Sequence, residues 1–343
     1  MSPRPVAILG AGLVTSVGLT AAACGCAFRA KLTNPCETRF IDSSGAWIMA
    51  HQVDLVPPRS GLGKLAGMAA LAIDEALCEL DRGQWRRMPM LLCVAEPERP
   101  GRLAGLDEQL PVQIQQELGI AFAPGSALLP LGRVGVAVAL AKAREMLRAD
   151  EIPGVLIVGV DSLLSWETLG PCERDDRLLT ESSANGFMPG EGAGALWVGR
   201  AEDTAPRLWC SGIGLGREPA PINSGEPLRA EGLTQAIKAC LADAGRQMHE
   251  LDFRITDLSG EQYYFKEASL ALTRTLRTGR ETFDLWHPAE CTGETGAASG
   301  VAVIVAAREA CRKGYAPGPR VLAHWSGDGG QRAAVVLEFG GGA

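Results

Sequence analysis

One pattern occurs twice in the chain, and it restricts the fold more than any other feature. Gly132-Arg133-Val134-Gly135 runs into VAVALAKAREMLRAD, and Gly296-Ala297-Ala298-Ser299-Gly300 runs into VAVIVAAREACRKG. Both segments open apolar all round, as a helix buried on every side requires, and the first then becomes amphipathic. Each is followed by an apolar strand (155–160 and 321–325), a glycine-rich turn and a last strand, GALWVGR or AAVVLEFG. Upstream, a strand at 208–215 answers the one that opens the chain, and helical periodicity over 233–244 answers that over 62–80. Strand and helix alternate in each copy, so the expected architecture is α/β, with a mostly parallel sheet and packed helices in each half. The halves divide as 1–204 and 205–343, at the polar stretch 201–206.

Composition excludes several functions. A length of 343 residues accommodates both halves, and 46% hydrophobic with 21% charged content fits an ordinary globular protein. A net charge of −7 with no basic cluster argues against nucleic acid or an anionic membrane as partner. No apolar run reaches the roughly 20 residues that span a bilayer. The opening residues lack a signal-peptide apolar region, so the expected location is cytoplasmic. Cysteines sit mainly at apolar-periodic positions, as small buried hydrophobes do. Cys24-Gly25-Cys26 is too tightly spaced for a metal knuckle, and no metal is expected. Residues 6–18 suggest a dinucleotide turn, but Thr15 stands where its third glycine belongs, so no cofactor is expected. Residues 24–60, rich in Pro, Gly and Ser, read as an irregular surface excursion.

Residues 185–198, NGFMPGEGAGALWV, describe a tight loop feeding a buried strand. Gly190, Gly192 and Gly194 permit positive φ and close backbone approach, which side chains would forbid. This segment resembles the DGFV-x-GEGAG motif of the thiolase-fold condensing enzymes, above all the β-ketoacyl-acyl-carrier-protein synthases. Gly10, Gly12, Val14, Thr15 and Gly18 are similar to their opening G-x-G-x-VT-x-x-G. The resemblance implies a thiolase-like fold: two duplicated strand–helix halves stacked as a five-layer αβαβα core.

It also implies where catalysis would reside. Condensing enzymes use a Cys at the N-terminus of a buried helix, whose dipole favours the thiolate. Two further groups, both His in elongating synthases, support decarboxylation and hold the oxyanion. The T-A-C-x-x-G pattern falls on 129–135 and puts Gly132 at the nucleophile position. The first His context falls on 257–261, with Ser259 in its place. The second, K-x-x-T-G-H-x-x-G-A-A-G, falls on 289–300 with Glu294 in place of His, while Thr292, Gly293, Gly296, Ala297, Ala298 and Gly300 are kept. A glycine-rich turn at 327–332 carries Asp328 where the family has a gating aromatic. The expectation is a pseudoenzyme with no catalytic residue, its former site closed by a charged cluster of Arg133, Glu294 and Asp328.

Such a protein would act by binding another protein. It would be a homodimer, a pseudo-subunit like the inactive chain-length-factor partners of some polyketide synthases, or an adaptor for a client. Degenerate thiolase-like proteins of the last kind resemble accessory proteins of some bacterial effector-secretion clusters. The rival expectation is an acyltransferase with relocated chemistry, using Cys291 at the mouth of the second-copy helix with His287 and Glu294 nearby.

Overall fold

The computed structural model describes residues 5–149, 152–200 and 205–341. Most of the expected boundary at 201–206 lies outside them. The strands are β1 (Val6–Val14), β2 (Cys36–Ile41), β3 (Trp47–Ala50), β4 (Met90–Cys93), β5 (Ala127–Leu129), β6 (Val155–Ser162), β7 (Glu191–Gly199), β8 (Arg207–Arg217), β9 (Phe253–Thr256), β10 (Leu285–Trp286), β11 (Arg320–Ser326) and β12 (Gln331–Gly340). β2 and β3 form a separate hairpin; the others make one sheet, β10-β9-β11-β12-β8-β1-β7-β6-β4-β5.

The sequence repeat is visible in that order. From its outer edge inwards, the first half reads β5-β4-β6-β7-β1 and the second β10-β9-β11-β12-β8. The corresponding ladders have the same sense: β4 is parallel to β5 and β6 as β9 is to β10 and β11, while β7 is antiparallel to β6 and β1 as β12 is to β11 and β8. β1 is antiparallel to β8, so the sheet is mixed and not mostly parallel. The halves join where β1 pairs with β8, at Val6↔Cys210, Ala7↔Trp209 and Ile8↔Leu208.

Both faces of each half are covered, which is why the strands read as apolar runs. Val321, Ala323 and Trp325 on β11 face a central core that also holds Leu91, Ile157, Leu140 and Val305 from both halves. Leu322 faces a second core with the helix Glu231–Ala244, and Leu92 and Val158 face a third with the helix Gly61–Ala76. The repeated helices Gly135–Ala149 and Ser299–Arg312 thus lie between two half-sheets, and the other two lie outside. This is the five-layer stack.

Glycine sets the spacing between layers. Gly10 and Gly12 on β1 lie under the carbonyls of Ala76 and Ala72, and Gly212, Gly214 and Gly216 on β8 lie under those of Cys240, Ala236 and Gly232. A Cβ at any of these would collide with the carbonyl. Gly190, Gly192 and Gly194 serve the same purpose against Thr292, Val14 and Val301. None of the three has positive φ; of the two freedoms glycine gives, these positions use close approach.

Residues 24–60 are also more ordered than their composition suggests. Thr20 caps the helix Ala21–Ala30 by accepting from Ala23 N, and Gly25 lets that helix lie against Glu309. The β2–β3 hairpin follows. Tertiary packing overrides the weak local signal here. Among the described residues no helix is long and apolar enough to cross a membrane.

Gly214→Ala is expected to cost about 1–3 kcal/mol in denaturant unfolding, because the Ala236 carbonyl belongs to a packed helix and cannot retreat. Gly63→Ala, where an added methyl meets nothing within 4 Å, is expected to hold or raise stability.

Candidate functional site

The two repeated helices begin in the same way. Gly132 and Gly296 each have φ of 54° and each opens a single 3-10 turn, Gly132–Val134 or Gly296–Ala298, before the helix proper. That conformation favours glycine. A Cβ at Gly132 would collide with the carboxyl of Glu96, and one at Gly296 with that of Asp161. The volume in front of the first helix is therefore filled by an acidic side chain from the loop after β4.

The next residue, Arg133, is buried, and its guanidinium gathers partners from the second half. It donates to Glu294 Oε2 at 3.2 Å, to Tyr264 Oη at 2.9 Å and to Asp328 Oδ1, with Asp257 at 3.8 Å. The Tyr264 ring lies 4.6 Å under the same guanidinium, and its hydroxyl donates to Asp328 at 2.5 Å. Ser259 Oγ donates to Glu294 Oε2 at 3.0 Å, and Gly296 N donates to Oε1 at 2.9 Å. Arg133, Ser259, Glu294 and Asp328, separated widely in sequence, meet in one cluster beside Gly132.

Two more arginines enclose it. Arg177 holds Glu261 through Nε at 2.7 Å and Nη2 at 3.0 Å, and reaches Asp328 at 2.7 Å. Arg99 grips Asp161 with two bonds of 2.6 Å, and Asp161 accepts from Ala297 N at 2.9 Å. Sequence reasoning missed Glu96, Arg99, Asp161, Arg177 and Tyr264. Glu96, Arg99 and Arg177 lie on loops, Tyr264 on a distant helix and Asp161 near the end of β6, where no spacing marks them.

The electrostatics follow from burial. Burial pushes the Glu294 carboxyl up to about 7 despite Arg133. Asp257 and Glu96 are raised for the same reason. Burial works against charge on Asp328 too, but Arg133 and Arg177 outweigh it and hold that carboxyl well below its ordinary range. Arg133 stays charged: its burial is overcome by Tyr264, Glu294, Asp328 and Asp257.

The expected alternative centre does not assemble. Cys291 is buried beneath the helix Ala21–Ala30, with Ala27 O 4.0 Å from its sulfur, and burial pushes its thiol up to about 11. A helix mouth helps a thiolate only where solvent or a cation reaches it. The His287 ring packs edge-on against Phe265 at 5.8 Å, and no hydrogen bond joins it to Cys291 among the described residues.

No protein-family model and no curated protein matches the chain. Solved structures do. A type II PKS acyl-carrier protein in complex with its ketosynthase contains a chain that superposes with a TM-score of 0.78 at 16% identity, covering 98% of this chain and 99% of that one. The ishigamide ketosynthase/chain length factor gives 0.76 at 17% identity, over 98% and 99%. The fold is that of the ketosynthases. A ketosynthase in complex with its chain length factor from Xenorhabdus doucetiae gives 0.74 at 13% identity, over 98% of both chains. At these identities the likeness speaks for the ketosynthase fold and for nothing finer.

Stability should respond to pH through Glu294. Its folded-state value of about 7 lies above the ordinary 4.5, so its contribution is complete below 4.5 and is lost as pH rises through about 7. His51 and His324, lowered by burial to about 4 and about 3 from 6.5, act oppositely and lose stability as pH falls below 6.5. Glu294→Gln is expected to flatten the alkaline side, so that its melting temperature changes less between about pH 5 and 8 than that of the wild type.

Proposed function

We propose that the chain is a cytoplasmic ketosynthase-like pseudoenzyme that works by binding a protein partner, as a subunit beside a ketosynthase-like chain. The observation that carries this reading is the content of the space before the helix Gly135–Ala149. By the family frame Gly132, Ser259 and Glu294 hold the positions of the thiolate and the two imidazoles; the Glu96 carboxyl lies against the first, and Arg133 and Ser259 are bonded to Glu294. A positively charged arginine tied to Glu294 and Asp328 can neither attack a thioester nor relay a proton, and the cluster leaves a polar lining that an acyl chain would have to desolvate.

The partner class is supported by the company the fold keeps: the similar structures include ketosynthases in complex with a chain length factor or an acyl-carrier protein. β5 ends the sheet, and its outer edge is free to pair with a strand of the partner. Pro130 falls just after β5, so it removes no donor from such a ladder. An adaptor that binds a client through the same edge is the second form of this reading. Relocated acyl transfer at Cys291 is disfavoured by that thiol's burial and raised pKa.

The wild type is expected to form no condensation product from acyl and malonyl carrier proteins, and Gly132→Cys alone should not restore any. A thiol-reactive acyl analogue should label the protein slowly and at several exposed cysteines. Rapid labelling at one site, or product above the no-enzyme control, would replace this reading with an enzymatic one.

A further inference from the structure

Away from the charged cluster, a groove of about 610 Å3 runs between the β2–β3 hairpin and the start of the helix Gly61–Ala76. Arg39 and Phe40 of β2 line it, together with Arg59, Lys64, Leu103 and Leu164. Nothing in the partner-binding role uses it.

Its polar groups are unevenly satisfied. Glu191, at the bottom of the groove, has its oxygens occupied: Oε1 accepts from Val53 N at 2.9 Å and from Lys64 Nζ at 2.5 Å, and Oε2 accepts from Ser162 Oγ at 2.9 Å. Lys64 is half-buried and has three N–H donors, of which that contact takes one. Arg59 gives a single nitrogen to Glu117 at 2.6 Å. Arg39 is exposed, stacks 5.3 Å over the Phe40 ring and pairs with no carboxylate among the described residues. Unused donors on three cations thus border a space whose buried acceptor, Glu191, is already filled, and the other carboxylate in the lining, Glu37, is exposed on β2. Phe40, Leu103 and Leu164 supply apolar surface beside them.

We propose that this groove binds a small organic anion, its charged head held by Lys64 and Arg39 and a short apolar body lying against Phe40, Leu103 and Leu164. Carboxylates and phosphate monoesters share that chemistry, because either presents acceptor oxygens to ammonium and guanidinium donors.

The test is calorimetric titration of the full chain with hexanoate, hexyl phosphate and hexanol. Saturable one-to-one binding of at least one anion is expected, with none for hexanol, and the preferred anion identifies the head group. Arg39→Ala should weaken binding about tenfold or more, the loss of a charge-assisted hydrogen bond, and added salt should weaken it further. Arg39 is exposed, so this variant tests the site without threatening the fold. Lys64→Met should act likewise; if it unfolds because Glu191 loses its cation, Arg39→Ala alone decides. No binding of either anion at millimolar concentration, hexanol binding as well as the anions, or affinity unchanged by Arg39→Ala would overturn the proposal.

Discussion

Burying a guanidinium costs several kcal/mol unless carboxylates and hydrogen-bond acceptors surround it. Arg133 meets that demand with Glu294, Asp328, Asp257 and Tyr264, all from the second half of the chain, while Arg133 belongs to the first. The contact is therefore also a tie between the halves, placed where the two repeated helices begin. Arg177 repeats the device from a first-half loop, reaching Glu261 and Asp328. The space before the helix Gly135–Ala149 is thereby filled by a set of interlocking ion pairs.

The same geometry explains why a nucleophile would be hard to reinstate. Gly132 has positive φ, which strains any other residue, and the Glu96 carboxyl lies where a Cβ would stand and would have to move. A cysteine there would have to displace the Glu96 carboxyl, which burial raises and the nearby Arg99 draws the other way.

The layered fold could be read from residue order because duplication leaves a periodic record. The twin helices, the apolar strands after them and the alternating glycines of β1 and β8 all follow hydrophobic or steric rules. The family frame brought Arg133, Glu294 and Asp328 towards one site, since each lies at a fixed offset from a retained glycine. It said nothing of Glu96, Arg99 or Arg177. Hydrophobic periodicity does not report which charged loop residues turn inward, and Arg177 follows Asp176, whose own φ of 52° redirects the loop. Cys291, the rival candidate for its position near a helix start, is covered by the helix Ala21–Ala30, part of which falls in the stretch read as irregular.

The central claim is that Arg133 is the structural centre of a closed site. It is tested most directly by the unfolding free energy of Arg133→Ala, alone and combined with Glu294→Gln. The account expects the single change to cost roughly 1–4 kcal/mol, because it strands buried carboxylates, and expects Glu294→Gln to recover part of that loss. Unfolding of Arg133→Ala at the wild-type midpoint would contradict it, and would mean that the site is open enough for water to replace the guanidinium.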